Sequence, residues 1–326
     1  MELKGVHHVT AITSSAEKNY EFFTYVLGMR LVKKSVNQDD IHTYHLFFAD
    51  DVGSPGTDMT FFDFPGIPKG RHGTNEIAKT GFRVPSDVAL DYWRKRFDRL
   101  GVKNGGITKR FGRKVLPFED FDEQQYELFS DENDTGVAPG TPWKKGPIPD
   151  EFAITGLGPV FIRVDRADVF QEVLEKVYKF RFVAEEGQMR LFEMGEGGNG
   201  ASVIVEEDET MPLAQQGYGT VHHVAFRVND RSELNYWDER LRGFGFPTSG
   251  HVDRFYFESL YARVTPHILF EFATDGPGFM EDEPYETLGE KLSLPPFLEK
   301  NRAEIERTVR PLDTVRSTKT IEKEYE

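Results

Sequence analysis

The feature that most constrains this sequence is an internal repeat carrying a pair of adjacent histidines. The segment GVHHVTAI at 5–12 matches TVHHVAFRV at 220–228, and both have the apolar pattern of a strand. Each is followed by a polar turn and an amphipathic helical pattern, at 15–27 and at 232–243. Runs typical of three strands come next. We therefore predict a unit of strand, helix and three strands near each end of the chain.

Two weaker copies of the same unit lie between the copies that carry histidine pairs. One has a strand pattern at 77–84 and a helical pattern at 87–101. The other has a strand pattern at 159–164 and a helical pattern at 167–178. The four copies together account for residues 1 to about 275.

A linker and a tail complete the predicted organisation. Residues 131–151 concentrate Pro, Gly and Asp without periodicity, which is typical of a linker. The tail is acidic at first and then has the pattern of one packed helix, followed by a charged end that we expect to be frayed. We predict an N-terminal domain at 1–145 and a C-terminal domain at 146–280, each of two modules, and a helical tail at 281–326.

The composition narrows the classes of function. A formal net charge of −15 repels phosphate backbones and anionic membranes, so we expect no nucleic-acid partner. Cysteine is absent, which excludes disulfides, thiolate metal sites and cysteine nucleophiles. The N-terminus lacks the pattern of a secretory signal, and no run approaches the roughly 18 apolar residues of a membrane span. We expect a cytoplasmic protein with no membrane partner, for which a homo-oligomer is open.

Three residues form the candidate metal site. His8 and His223 occupy equivalent positions in the first and fourth copies, and Glu271 lies in the apolar run ILFEF. A lone buried carboxylate is costly without a compensating charge, which a metal ion would supply. Two imidazoles and one carboxylate form the facial triad of non-haem Fe(II) oxygenases. Because neighbouring side chains on a strand alternate, we expect His7 and His222 to face the opposite side of the sheet or to support the ligands from the edge.

The weaker copies offer no second site. At the position of His223, the second copy has Lys79 and the third has Pro159, and neither is a plausible ligand there. We therefore predict one metal ion for each chain.

At these residues the sequence resembles the vicinal oxygen chelate superfamily, which includes glyoxalase I and the extradiol dioxygenases. Within it, the sequence is most similar to the hydroquinone-type ring-cleaving dioxygenases, both the methylhydroquinone-linked proteins of Bacillus-like bacteria and the dichlorohydroquinone 1,2-dioxygenases. The similarity covers nearly the whole chain, through LGMRLVKKSVNQDD, TYHLFFAD, PGTDMTFF, DRFYFESLYARVTPHILFEF and PPFLEKNRAEIE. It implies glyoxalase-like domains built of βαβββ modules.

The resemblance also implies a role for eight residues. The family's iron ligands match His8, His223 and Glu271. The residues that support its ligands match His7, His222 and Thr10. The residues that line its substrate pocket match Arg254 and Tyr261. The implied cofactor is Fe(II), with Mn(II) or another divalent metal open. One departure is Pro266-His267, where the family commonly has glycine, and we expect it to affect the pocket rim or the choice of substrate.

The ligand set constrains how the copies pack. His8 comes from the first copy, whereas His223 and Glu271 come from the fourth. We therefore predict an α+β fold in which four βαβββ modules form two incomplete mixed β-barrels with the helices outside. The metal site would lie between modules one and four, and modules two and three would form the second barrel.

The implied function is Fe(II)-dependent ring cleavage of a hydroquinone-type aromatic, with catechols open, using O2. We expect His222 or His7 to take the hydroxyl proton, Tyr261 to donate to a bound oxygen and Arg254 to stabilise negative charge. Structural alternatives are an ion pair of Arg254 with Asp253 or Glu258, and a core position for Tyr261. Among the other histidines, which we do not expect to be ligands, His45 alternates with apolar residues and is a candidate for the pocket wall.

Two other functions share this fold. A glyoxalase-type lyase or isomerase usually has a fourth ligand on the last strand of the paired copy. Here that position falls near Phe62, which cannot coordinate, and we expect its neighbour Asp63 to face away. A metal-free aromatic-binding or resistance protein is the second alternative, although such proteins often lack the triad that this chain keeps.

Overall fold

The computed structural model describes residues 1–265 and 267–326, which contain sixteen strands. Those of the first two copies are β1 (Val6–Ile12), β2 (Arg30–Val36), β3 (Tyr44–Ala49), β4 (Asp58–Asp63), β5 (Glu76–Val84), β6 (Thr108–Arg110), β7 (Arg113–Glu119) and β8 (Gln125–Ser130). Those of the last two copies are β9 (Gly156–Val164), β10 (Arg181–Glu186), β11 (Met189–Glu193), β12 (Ser202–Glu207), β13 (Thr220–Val228), β14 (Thr248–Asp253), β15 (Glu258–Arg263) and β16 (Leu269–Thr274).

One helix follows the first strand of every copy. The helices are α1 (Ala16–Glu21), which continues into a π-helical turn at Phe22–Val26, α2 (Asp87–Leu100), α3 (Ala167–Lys176), α4 (Arg231–Gly243) and, in the tail, α5 (Arg302–Thr308). Side-chain oxygens of Ser15, Ser86 and Asp230 accept backbone N–H groups at the starts of α1, α2 and α4. Over the described part of the chain, no helix is both long enough and apolar enough to cross a membrane.

The sixteen strands form two eight-stranded mixed sheets. Their orders are β14-β15-β16-β13-β1-β4-β3-β2 and β10-β11-β12-β9-β5-β8-β7-β6. In each copy the last strand lies parallel to the first, and the first strands of two copies join antiparallel as β1–β13 and β5–β9. Modules one and four therefore build one sheet, and modules two and three build the other. The predicted α+β architecture is confirmed.

The helices cover the outer faces of the sheets through large aromatic side chains. Trp237 of α4 stacks on Phe272 of β16 with ring centroids 5.2 Å apart. Trp93 of α2 is fully buried. The two sheets share one core, since the ring of Phe23, in the first copy, packs near the ring of Phe82 on β5, with ring centroids 6.4 Å apart. This packing leaves the inner faces of the two curled sheets for other contacts.

The prediction for the linker agrees with the structure, whereas the prediction for the end of the tail does not. Residues 131–151 contain no helix or strand, as expected of a linker. The tail has one helix, α5, but its charged end is not frayed: Glu324 pairs with Arg96 at 2.7 Å, and Lys323 donates to the carbonyl of Ile148 at 2.7 Å. That part of the prediction is wrong because these charges have partners in the second copy and in the linker. The domain division at 1–145 and 146–280 stays a prediction, since each sheet takes strands from both ranges.

Candidate metal centre

The three predicted ligands come together inside the curl of the first sheet. Nε2 of His8 on β1 lies 3.3 Å from Nε2 of His223 on β13. Oε2 of Glu271 on β16 lies 3.1 Å from the first of these atoms and 2.9 Å from the second. Metal bonds of about 2.1 Å place neighbouring ligand atoms about 3 Å apart, so this face of three donors fits one divalent cation. Within the described residues it is the one such group of His and acidic side chains.

Glu271 is held in place by a residue that the sequence analysis missed. Its Oε1 accepts a hydrogen bond of 2.6 Å from Ser259 on the neighbouring strand, which leaves Oε2 for the cation. The carboxylate is completely buried. Although burial opposes its ionisation, His8 and His223 hold the pKa of Glu271 well below its usual range. Ser259 and Tyr261 share one face of β15, so strand alternation near Tyr261 was the available signal.

Both histidine pairs sit at β-bulges. The register between β1 and β13 shifts twice, which makes His7 an extra residue on β1 and His222 an extra residue on β13. A bulge turns neighbouring side chains toward the same side. Accordingly, Nδ1 of His7 lies 2.9 Å from Nδ1 of His8, and Nδ1 of His222 lies 2.8 Å from Nδ1 of His223. Of the two expected placements, the opposite face is wrong and the contact from the edge agrees with the structure, since both neighbours meet the ligand rings edge-on.

These contacts define the tautomers of a metal-bound state. A ring that binds a cation through Nε2 carries its hydrogen on Nδ1, so His8 donates to His7 and His223 donates to His222. Burial and the adjacent ligand ring lower the pKa of His7 and of His222 to about 3, so both stay neutral acceptors. Nε2–H of His7 then donates to the carbonyl of Thr274 at 3.1 Å. The hydrogen of His222 is likewise on Nε2.

A pocket of about 320 Å³ opens beside the three ligands. Apolar side chains supply much of its wall, among them Phe47, Phe62 and Phe257. Of the other predicted site residues, His222, Arg254 and Tyr261 line this pocket. His7 and Thr10 are buried and lie outside its lining.

Arg254 and Tyr261 act as a pair at the pocket. Nε of Arg254 donates to the hydroxyl of Tyr261 at 3.1 Å, and its Nη2 donates to Asp39 at 3.1 Å. The partner of Arg254 is therefore Asp39 of module one, in place of Asp253 or Glu258. Burial and the Glu271 carboxylate raise the pKa of Tyr261, so its hydroxyl keeps a hydrogen that it can donate into the pocket.

The position of a fourth ligand is occupied by Thr60. Thr10 is the repeat equivalent of Ala225, and these two residues pair in parallel register with Thr60 and Glu271. The expectation that Phe62 holds this position is wrong by two residues, because the register could not be derived from sequence alone. Thr60 hydrogen-bonds Thr10 at 2.7 Å and offers no carboxylate.

Asp63 faces away from the metal site, as expected. Its carboxylate accepts the backbone N–H of Ala16 at 3.3 Å and pairs with Arg310 of the tail. Module one therefore supplies no fourth carboxylate of the glyoxalase kind among the residues described.

The second sheet holds different chemistry at the equivalent positions. At the position of His223, Lys79 of the second copy pairs with Glu206 at 3.0 Å, and the third copy has Pro159. Of the remaining histidines, His45 lines the pocket beside the ligands. The predicted departure at Pro266 lies outside the described residues.

Comparison with known proteins places these features in a family. The sequence profile of the Glyoxalase/Bleomycin resistance protein/Dioxygenase superfamily matches residues 5–128. The chain is 45% identical over 317 residues to the candidate ring-cleaving dioxygenase MhqA of Bacillus subtilis (strain 168), covering 96% of this chain and 100% of that protein. It is 30% identical over 313 residues to the chlorohydroquinone/hydroquinone 1,2-dioxygenase of Sphingobium indicum, covering 94% and 96%.

A solved structure agrees with these relationships. The crystal structure of a candidate dioxygenase from Bacillus subtilis superposes with a TM-score of 0.88 at 34% identity, covering 96% of this chain and 99% of that one. The similarity thus extends over both sheets and the tail. The chain belongs to the ring-cleaving dioxygenases of the glyoxalase/bleomycin resistance protein/dioxygenase superfamily.

Proposed function

We propose that this protein is an Fe(II)-dependent dioxygenase that uses O2 to open the ring of hydroquinone-type aromatics. The observation that carries the proposal is the convergence of two imidazole nitrogens and one carboxylate oxygen, all within about 3 Å, beside an apolar pocket. The relative that acts on chlorohydroquinone and hydroquinone supports the substrate class. Mn(II) or another divalent metal fits the same donors.

The metal would be held by His8, His223 and Glu271. Bound there, Fe(II) supplies open coordination positions and redox chemistry toward dioxygen. The two rings bind in their neutral form, and their Nδ1 hydrogens are fixed by His7 and His222.

The pocket residues then bind and orient the aromatic ring. Phe47, Phe62 and Phe257 exclude water and pack against the ring faces. Tyr261 donates its hydroxyl hydrogen to the reacting oxygen, and Arg254 fixes that hydroxyl through its own hydrogen bond. These donors favour the deprotonated substrate hydroxyl.

His222 contributes a donor in this scheme. Because its Nδ1 accepts from His223, its Nε2 carries hydrogen and can stabilise a negative oxygen in the pocket. His7 cannot take a substrate proton, since both of its nitrogens have protein partners. The base role predicted for His222 would require the other tautomer.

The test is anaerobic reconstitution with Fe(II), followed by oxygen uptake on a panel of hydroquinones and catechols. We expect one O2 consumed for each ring opened, with hydroquinones preferred. His223→Ala and Glu271→Ala should abolish uptake and metal binding. Anaerobic turnover of a thiol adduct, with no oxygen uptake on any hydroquinone, would contradict the proposal and favour a lyase.

A matched control lies in the second sheet. Glu127 pairs with Gly81, the repeat equivalent of Ala225, and so occupies the position of Glu271. It is buried as deeply. Glu127→Gln should retain metal content and oxygen uptake, which separates loss of a ligand from loss of any buried carboxylate.

A further inference from the structure

One histidine of the pocket is not used by the metal site or by the donors around it. His45 lies on β3, two strands away from β1 in the sheet order, and lines the same pocket as the three ligands. Its Nε2 is 2.9 Å from the hydroxyl of Thr60, whose hydroxyl is 2.7 Å from that of Thr10. Among the described residues, Nδ1 of His45 has no hydrogen-bond partner. The ring is thus fixed at one nitrogen and free at the other.

The ring of His45 is also fixed in its plane. It packs against Phe47 with centroids 4.0 Å apart and against Phe62 with centroids 4.4 Å apart. Burial lowers the pKa of His45 well below its usual value, so the ring is neutral. When Nε2–H donates to Thr60, Nδ1 is an acceptor. A rigid, neutral acceptor at an apolar wall suits one hydroxyl donor of a ligand.

The ring of Phe62 contacts polar rings on two sides of the pocket. Its centroid lies 5.5 Å from that of His222, which contacts the ligand His223, and 4.4 Å from that of His45. An aromatic ligand packed on Phe62 would therefore be within reach of both His222 and His45. A substrate ring lying over Phe62 with one oxygen at the metal would direct its opposite edge toward His45.

Neighbouring polar side chains are already engaged. The amide nitrogen of Gln38 donates to the carbonyl of Arg254 at 2.9 Å, and the amide oxygen of Asn37 accepts the N–H of Asp39 at 2.9 Å. Ser35, which pairs with His45 in register, is the remaining hydroxyl nearby that lines the pocket.

We propose that Nδ1 of His45 accepts a hydrogen bond from the hydroxyl para to the metal-bound oxygen, so that His45 selects 1,4-dihydroxy aromatics over monophenols and 4-alkoxyphenols. This rests on the proposed function, because it takes the first oxygen to be at the metal. A neutral hydrogen bond of this kind corresponds to a preference of about 3- to 10-fold. His45 is a recognition residue and takes no part in oxygen chemistry.

The experiment compares two substitutions that each keep one nitrogen position. In His45→Gln the amide group replaces Nε2 and can still meet Thr60, whereas the group facing the pocket is lost. In His45→Asn the amide oxygen replaces Nδ1 and the contact with Thr60 is lost. Anaerobic binding of hydroquinone, phenol and 4-methoxyphenol to the Fe(II) protein is measured for both variants, wild type and Ser35→Ala.

We expect the wild type and His45→Asn to prefer hydroquinone over phenol and 4-methoxyphenol. We expect His45→Gln to bind all three compounds with similar affinity. Its affinity for phenol should equal that of the wild type. An unchanged preference in His45→Gln overturns the proposal. If His45→Gln and His45→Asn lose the preference for hydroquinone equally, the proposal is also overturned. The same holds if Ser35→Ala alone loses this preference. Because binding is measured without O2, a wild type that binds hydroquinone selectively but never opens it contradicts the proposed function and leaves this result standing.

Discussion

Single residues make the inner faces of the two sheets different. Ala225, which pairs with both His8 and Glu271, is replaced at the equivalent position of the third copy by Phe161. The ammonium group of Lys79 lies 4.3 Å from the centre of that ring and pairs with Glu206. A cation of the protein itself therefore occupies the inner face of the second sheet. The small side chain of Ala225 leaves the matching space in the first sheet open.

A second residue-scale feature is a carboxyl group with a strongly shifted pKa. Burial raises the pKa of Asp120 to about 7. Its Oδ1 accepts the N–H groups of Asp122 and Gln124, and its Oδ2 contacts the hydroxyl of Tyr126 at 2.8 Å. Because the folded state holds this proton more tightly than the unfolded state, stability falls as pH rises from about 4 to about 7.

Asp120→Asn should remove this loss of stability with rising pH. The amide oxygen keeps both backbone N–H groups, and the amide, like the protonated acid, puts no charge in this buried position. Its nitrogen can donate to the hydroxyl oxygen of Tyr126, which itself donates to Asp120 in the wild type. We expect the variant to be less stable than or equal to wild type near pH 4 and more stable above pH 7, with midpoints rising by about 2 °C for each kcal/mol recovered. Melting temperatures from pH 4 to pH 8.5 measure this, and parallel curves would contradict it.

At the scale of elements, the bulges in the central strands determine the site. In β5 the register with β9 shifts between Ile77 and Lys79, so Ala78 lies at the repeat position of His222. The bulge therefore also forms in a copy without the histidine pair, and the histidine at this position is particular to the copies that form the candidate site. Where a histidine fills the bulge, it meets the neighbouring ligand ring edge-on. The same geometry gives His7 its contact with His8.

The role of the bulge in β1 can be tested at His7. His7→Ala leaves Nδ1 of His8 without an acceptor, and we expect metal affinity to fall about 10-fold or more. His7→Asn places an amide oxygen where Nδ1 was, so it should recover most of the affinity. Competition with a chelator of known affinity measures both.

Two outcomes would contradict this role of His7. One is unchanged affinity in His7→Ala. The other is a His7→Asn protein that binds metal as weakly as His7→Ala, which would indicate a general loss of packing. Melting temperatures of the metal-free variants distinguish misfolding from a specific effect.

At the scale of the whole molecule, the tail joins parts that no single sheet connects. Near its start, Asp282 and Glu283 pair with the buried Lys33 on β2, and Asp282 also accepts the hydroxyl of Tyr256, which lines the pocket. Its last residues reach α2 of the second copy. The tail therefore supports the pocket wall and links modules one and two.

The contact at the end of the tail predicts a loss of stability. Arg96 is completely buried and donates to Glu324 and to the carbonyls of Tyr25 and Val26. Glu324→Gln removes the charge partner of a buried guanidinium, and we expect unfolding to become easier by about 1–3 kcal/mol. The nearby exposed Glu322→Gln is the matched control. Urea unfolding that gives equal stability for the two variants would contradict this role.

Local patterns in the sequence predicted the repeated elements and the residues that meet at the candidate site. Apolar periodicity is local, so strands such as β13 and helices such as α4 follow the predicted ranges closely. The matched positions of His8 and His223 required modules one and four to join, and they do. These inferences need only spacing along the chain.

Tertiary structure decided the rest, because it depends on register and on partners distant in sequence. The bulges at His7 and His222 arise from strand pairing, and they decided between the two expected placements by bringing both rings against the ligand rings. Pairing also put Thr60 at the fourth position and aligned Ser259 with Glu271. The end of the tail looked frayed because its partners on α2 lie more than 200 residues away. The neighbours of a side chain across strands depend on strand order and register, and a local sequence pattern does not predict these.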